Sequence, residues 1–306
     1  MNFAHHFAPD ISRIAVIVAS LGRPDNLAML LDQLSQQTLM PAQVILSVES
    51  DADLPPAPVL ARQGFDISIV RGARGSSPQR NRGLDLVRGD IGVVAFFDDD
   101  LVPSRHALEG MVTFYAEHPE MNGASGTLLA DGIRGPGITP DAALRMVADA
   151  DAGFDGIDPA ITSTPRALYG CNMCYRRAAI SGLRFDEALP LYAWLEDLDF
   201  GGQLPQGTLA HTPAFYGVHC GEKRGRETSG LRLGYSQVCN PIYLLRKGTL
   251  PRRQGLRMPL RNIVRNHLGI LRPEPWIDRR GRARGNRIAL LDMLRGRLDP
   301  RRILDL

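Results

Sequence analysis

Residues 91–97 read IGVVAFF, a strand-length stretch without a polar side chain, and it runs straight into Asp98, Asp99 and Asp100. A second run, IAVIVA at 14–19, has the same character. Neither alternates, so each strand has to be covered on both faces, as in a parallel sheet held between helices. The covering helices are legible too. Pro24 suits a first helical turn, and Leu27, Leu30, Leu31 and Leu34 fall at i, i+3, i+4 and i+7, one apolar stripe. Val44–Val48 and Ile67–Val70 read as two further strands. Ser76 or Ser77 before Pro78 is expected to cap a helix running to Val87, and Ser104 one that carries Leu108, Met111, Val112 and Tyr115. This alternation predicts an α/β fold with a Rossmann-like, mainly parallel sheet flanked by helices, whose ligands sit at the carboxyl ends of the strands.

Past Asn122 the periodicity weakens. Glycines and prolines between Gly132 and Pro165 imply long loops around a short helix near Asp141–Ala150. The expected division is 1–122 for a donor-binding half, 123–247 for an acceptor-binding and catalytic half, and 248–306 for a basic helical C-terminal extension. With 306 residues, 44% apolar and 23% charged, the composition excludes disorder and fibrous repeats. No apolar run approaches the ~20 residues that span a bilayer, and the first ten residues lack the pattern of a secretory signal. A cytoplasmic location is expected. Cys171, Cys174, Cys220 and Cys239 are too few for a disulfide scaffold and read as reduced thiols.

Three adjacent carboxylates repel one another, and at the end of a buried strand a divalent cation would neutralise them. Hard oxygen ligands of this kind suit Mn2+ or Mg2+ with a bound diphosphate, against the simpler reading of a solvated acidic turn. Arg80, in the first turn of its helix, is placed to meet phosphate. Downstream, YAWLEDLDF sets Glu196, Asp197 and Asp199 behind Tyr192 and Trp194. A carboxylate beside aromatic walls can serve as a general base because partial desolvation raises its proton affinity, although an acidic helix N-terminus reads equally well. Lys223, Arg224 and Arg226, bounded by glycines, read as a lid over a diphosphate or as a solvated basic loop. Cys171 and Cys174 form a CxxC that with His219 and Cys220 spells a zinc site, but two buried small side chains explain it better.

The order VIVASLGRPDNL, SSPQRNRGLDLVRGDIGVVAFFDDD, YGCNMCYRRAAI with LRFDE, and WLEDLDF resembles the family 2 glycosyltransferases of GT-A fold, from Ile14 to about Lys247. The resemblance implies inverting transfer from a nucleotide-diphosphate sugar. It makes Asp98 and Asp100 the metal-binding motif, Asp100 the direct ligand, His219 a further ligand, Asp197 the catalytic base and Glu196 its acidic neighbour. An inverting transfer independently needs one carboxylate standing apart from the metal cluster to deprotonate the acceptor hydroxyl. The first loop departs from the family's usual PTYNR and reads Ala19, Ser20, Leu21, Gly22, Arg23. The second strand ends in Val48, Glu49, Ser50, Asp51 where the family has paired aspartates, so Glu49 or Asp51 is expected to hold the nucleobase. The donor set is then Ser20, Arg23, Glu49, Asp51, Arg80, Asp98, Asp99, Lys223 and Arg224. Asn172 and Trp194 are expected to face the acceptor, a saccharide or lipid-linked molecule.

The net charge of +3 conceals an asymmetry. Arg246–Leu306 carries 17 Arg and Lys against 5 Asp and Glu, net +12, which leaves −9 for residues 1–245. Leu260, Ile263, Val264, His267, Leu268 and Leu271 form one face of an expected helix with Pro259 in its first turn, and Arg257, Arg261 and Arg265 recur on another. Such a helix could lie on the inner membrane surface or pack its leucines on the catalytic domain. Two other functions fit the sequence less well. A sugar-phosphate nucleotidyltransferase would need a Gly-rich loop after the first strand, where SLGRPD stands. A nucleic-acid-binding protein using the Arg-rich tail would need stacking aromatics, and Trp276 is the one after Tyr243, so no nucleic acid is expected.

Overall fold

The computed structural model describes residues 10–221 and 229–306. Eight strands form one sheet: β1 (Asp10–Ala19), β2 (Gln43–Val48), β3 (Ile67–Arg71), β4 (Ile91–Asp98), β5 (Leu101–Pro103), β6 (Gly123–Asp131), β7 (Asn172–Arg176) and β8 (Leu209–His219). Their order is β3-β2-β1-β4-β7-β6-β8-β5. The first four are parallel, β7 is antiparallel to β4 and β6, β6 is parallel to β8, and β5 is antiparallel to β8. The helices on and around it are α1 (Pro24–Leu34), α2 (Ala57–Ala61), α3 (Ser76–Asp85), α4 (Ala107–Glu117), α5 (Pro140–Ala152) and α6 (Glu196–Gly202). Three more follow: α7 (Gly230–Lys247), α8 (Arg252–Gly269) and α9 (Arg279–Leu294).

The continuous apolar strands are explained by two cores. Ile14, Val16 and Val18 of β1 pack with the leucines of α1 and with α4, whereas Ala15 and Ile17 join Phe96, Phe185 and Phe200 on the opposite face. Val93, Ala95 and Phe97 of β4 follow the first set and Val94 and Phe96 the second. At about 25 cal/mol per Å2 of apolar area removed from water, this two-sided burial is the main driving force for the sheet.

Several local expectations are corrected. After β4 the chain turns at Asp99 and Asp100, and Pro103 ends β5, which lies against β8. Neither Ser76 nor Ser77 caps α3. The cap position is Gly75 at φ 130°, whose N–H donates to Gln79 Oε1 at 3.1 Å, while the Ser76 hydroxyl donates to Glu196. Ser104 accepts from the His106 N–H, and α4 begins at Ala107. Pro259 lies in the middle of α8, buried, because the helix already starts after Pro251.

α7 and α9 approach closely enough that glycine is required at the contact. A Cβ on Gly285 would sit 2.0 Å from the Leu231 carbonyl oxygen, and one on Gly234 2.1 Å from that of Arg282. Tyr235, Val238, Cys239, Ala289 and Ile303 fill the space around this crossing. α8 packs on α7 through Gly255 and Asn266, Pro259 is buried on the same helix, and the other side of α8 faces outward.

Candidate active site

Strand register assembles the acidic cluster. Ala19 stands beside Asp98 at the ends of β1 and β4, and Asp131 beside His219 at the ends of β6 and β8. One ligand atom each of Asp98, Asp100 and His219 lies within 4.8 Å of the others. His219 Nε2 is 3.3 Å from Asp100 Oδ1 and 4.0 Å from Asp98 Oδ2. Its Nδ1–H donates to Asp131 Oδ1 at 2.9 Å, and the Tyr169 hydroxyl donates to the other Asp131 oxygen at 3.2 Å. A carboxylate that holds one ring nitrogen and leaves the second facing two further carboxylates is the arrangement of a metal-ligating imidazole, so the donor set fits Mn2+ or Mg2+. Burial pushes the His219 pKa down, but Cys171, Asp100 and Asp131 outweigh it and hold the ring well above its ordinary value. Asp131 and Tyr169 leave no mark in the sequence: the pairing of β6 with β8 brings Asp131 to His219, and Tyr169, in the loop before β7, is held there by its N–H bond to the Ser125 hydroxyl.

The middle aspartate has a different role. Asp99 is fully buried; it accepts from the Ser20 hydroxyl at 2.6 Å and pairs with Arg23 at 3.0 Å. Burial pushes its carboxyl up to about 7 against the pull of Arg23. Arg23 also reaches Asp100 at 3.7 Å, so the first loop is clamped to the acidic turn. Asp53, another residue missed in the sequence, fastens that loop from below by accepting from the backbone N–H groups of Gly22, Glu49 and Ser50.

Arg80 joins the two acidic motifs. Buried at 4% exposure, it pairs with Asp98 at 2.9 Å and Glu196 at 2.7 Å and donates to the Gly170 carbonyl. Its charge is therefore already engaged by carboxylates. Glu196 and Asp197 open α6. The Asp197 oxygens accept from the backbone N–H groups of Gly170 at 3.0 Å and Leu198 at 2.7 Å. Burial pushes the pKa of both carboxyls up, and Arg80 pulls against it. Asp199 belongs elsewhere: fully buried, it pairs with Lys247 and accepts from Thr249.

The segment before α6 is strained. Leu191, Ala193 and Leu195 have φ of 60°, 50° and 77°, the left-handed region, which costs each roughly 1–2 kcal/mol. The Ser76 N–H donates to the Leu191 carbonyl and the Asn240 amide to that of Trp194, so surrounding elements impose the conformation. Its effect is to present Tyr192 and Trp194 to the same pocket that Asp197 lines.

That pocket has a volume of about 1240 Å3 and is walled by Ser20, Arg23, Arg80, Asp98, Asp99, Asp131, Glu196, Asp197 and His219, with Arg232, Arg261, Arg265, Arg279 and Arg282 on the α7–α9 side. Not every expected residue takes part. Glu49 lies outside its wall, and Asp51 is exposed and paired with Arg71, which draws it to the sheet edge. Asn172 is buried in β7, in register with Phe97, also outside the wall. Lys223, Arg224 and Arg226 lie outside the described residues. Cys171 and Cys174 are buried thiols, pushed up to about 11 and about 12 by burial, and neither joins the metal-ligating group found among the described residues.

Residues 15–131 match the model of Glycosyl transferase family 2. A glucosyl-dolichyl phosphate glucuronosyltransferase of Haloferax volcanii is 30% identical over 105 residues, 34% of this chain and 32% of the relative, so the chain spans about a third of the curated relative that it matches. The crystal structure of S. aureus TarS 1-349 in complex with UDP-GlcNAc superimposes with a TM-score of 0.54 at 14% identity, covering 86% of this chain and 76% of that one. A longer S. aureus TarS structure gives 0.50 at 16% identity, covering 84% of this chain and 43% of that one. Residues 15–131 are thus similar to glycosyl transferase family 2, and the sheet that carries them has the GT-A fold.

Proposed function

We propose that this chain is an inverting, metal-dependent glycosyltransferase of the hexosyltransferase type, moving a sugar from a nucleotide-diphosphate donor to a saccharide or lipid-linked acceptor in polysaccharide or glycolipid assembly. The observation that carries this reading is that Asp98 and His219 of the metal-ligating cluster and the separate carboxylate of Asp197 line one pocket, with Arg80 bridging Asp98 to Glu196, the neighbour of Asp197. The family match, and a similar fold that was solved with UDP-GlcNAc, support it.

Asp98, Asp100 and His219 would hold the cation, whose charge stabilises the departing diphosphate. Ser20 and Arg23 shape the donor side by fixing Asp99 and the first loop. Asp197 takes the proton of the acceptor hydroxyl. Its backbone hydrogen bonds from Gly170 and Leu198 orient the carboxylate, and its raised pKa makes it a stronger base than a solvated aspartate. Trp194 and Tyr192 wall the acceptor side. A thermal-shift panel of UDP, GDP and dTDP sugars with Mn2+ tests the reading. A donor at a hundred times its Kd should add about 2.7 kcal/mol to stability, and a panel without any shift would remove the donor site.

We further propose that α8 rests on an anionic membrane surface. Leu256, Leu260 and Leu268 are 65%, 63% and 64% exposed, so these side chains do not pack on the catalytic domain. Arg253 and Arg257 are exposed among them. Each cation near an anionic surface contributes about 1 kcal/mol and the leucines add burial. No helix among the described residues is long and apolar enough to cross a membrane.

A further inference from the structure

The pocket is larger than the roughly 300–1,000 Å3 typical of a small-molecule site, and its two sides carry opposite charge. The carboxylates that line it, Asp98, Asp99, Asp131, Glu196 and Asp197, all come from strand ends, the acidic turn and α6. On the α7–α9 side the lining residues include five arginines and, among the described residues, no carboxylate. Arg279 is neutralised from behind by Glu274 at 2.5 Å and donates to Asn266, so it is part of the wall. Arg232 donates to the Leu306 carbonyl. Arg261 and Arg265 are different. They stand one turn apart on α8, exposed at the pocket, with Asn262 and Asn266 beside them; neither closes an ion pair among the described residues, and Glu274, the carboxylate whose charge Arg265 stabilises, is itself bound by Arg279.

We infer that this side of the pocket is a subsite for a phosphate group carried by the acceptor. The inference rests on the glycosyltransferase reading, because it takes the opposite, metal-binding side for the donor. A neutral saccharide offers hydroxyls that both donate and accept, but a guanidinium only donates, and closing several over a neutral ligand would desolvate charge without return. An anion with several acceptor oxygens matches the pair of forks at Arg261 and Arg265. The donor's own diphosphate belongs at the strand ends, where the cation would sit. The helix that presents Arg261 and Arg265 also carries Leu260, Val264 and Leu268 on its exposed face. A phosphate reaching this subsite could therefore belong to a lipid lying against α8 or to a soluble phosphorylated sugar.

Calorimetric titration of the full chain, saturated with Mn2+ and the nucleoside diphosphate it binds best, tests the subsite. Three probes suffice: glucose 1-phosphate, decyl phosphate below its micellar concentration, and decyl glucoside as a neutral match for chain length. Both phosphates should bind at least tenfold more tightly than decyl glucoside. Arg261→Gln/Arg265→Gln should weaken them by about tenfold or more, Arg261→Lys/Arg265→Lys, which keeps the charge but not the fork, should weaken them less, and nucleoside diphosphate binding should be unchanged in both. Tighter binding of decyl phosphate points to a lipid-linked acceptor, and tighter binding of glucose 1-phosphate to a soluble one. Wild-type phosphate affinity in the Gln variant, or equal binding of decyl glucoside, overturns the subsite while leaving the donor reading intact. Phosphate binding without any nucleoside diphosphate binding would instead remove the donor reading.

Discussion

Asp197 carries the proposed chemistry, and its environment sets a signed pH dependence. A base acts only when deprotonated, and burial holds this carboxyl above its ordinary value, so turnover should rise with pH along an acid limb displaced upward from the ~4 of a solvated aspartate. Asp197→Asn should cost ~10² to 10⁴-fold in kcat and abolish that limb while donor binding persists; wild-type turnover in a folded variant would transfer the role to Glu196. At the metal cluster, Asp131→Ala should weaken Mn2+ binding by about 10 to 100-fold, since it frees the His219 ring that Asp131 orients. The imidazole lies above its ordinary pKa and must lose a proton to ligate, so Mn2+ affinity should also fall as pH is lowered; calorimetry at several pH values reads both effects. Asp98, Asp100 and Asp197 were legible because a buried strand ending in carboxylates and an acidic pair behind aromatics leave a mark in sequence. Asp131, Asp53 and the left-handed Leu191, Ala193 and Leu195 leave none, because their positions come from strand pairing and from elements far along the chain.

At the scale of elements, the strands buried on both faces and the leucine stripe of α1 were readable from periodicity. β6, β7 and β8 were not. β8 reads LAHTPAFYGVH, whose histidines, proline and glycine break any simple pattern, and its strand conformation follows from pairing with β6. The α7–α9 crossing was equally hidden, since glycine spacing says nothing until two helices meet. Gly285→Val would drive a side chain into the Leu231 carbonyl and the Tyr235 N–H, and should destabilise the protein by about 2–3 kcal/mol. Urea unfolding measures this; an unchanged midpoint would mean that the two helices do not approach as closely as described.

For the whole molecule, the charge asymmetry seen in the sequence acquires a place. The acidic body ends in the metal cluster, and the basic tail supplies α8 and α9, which close the other side of the pocket and expose leucines outward. Full-length protein should sediment with anionic liposomes at low salt, more weakly as salt rises, and Leu260→Asp/Leu268→Asp should abolish sedimentation without loss of fold; unaltered sedimentation of that variant would exclude α8 as the contact. The measurement that bears most directly on the central claim is release of nucleoside diphosphate from the best-binding sugar nucleotide, compared between the wild-type chain with Mn2+, the same chain with EDTA, and Asp100→Asn. Release with Mn2+ is expected, falling by at least ~10²-fold with EDTA and in the variant. Release that survives both would contradict metal-dependent transfer at this site.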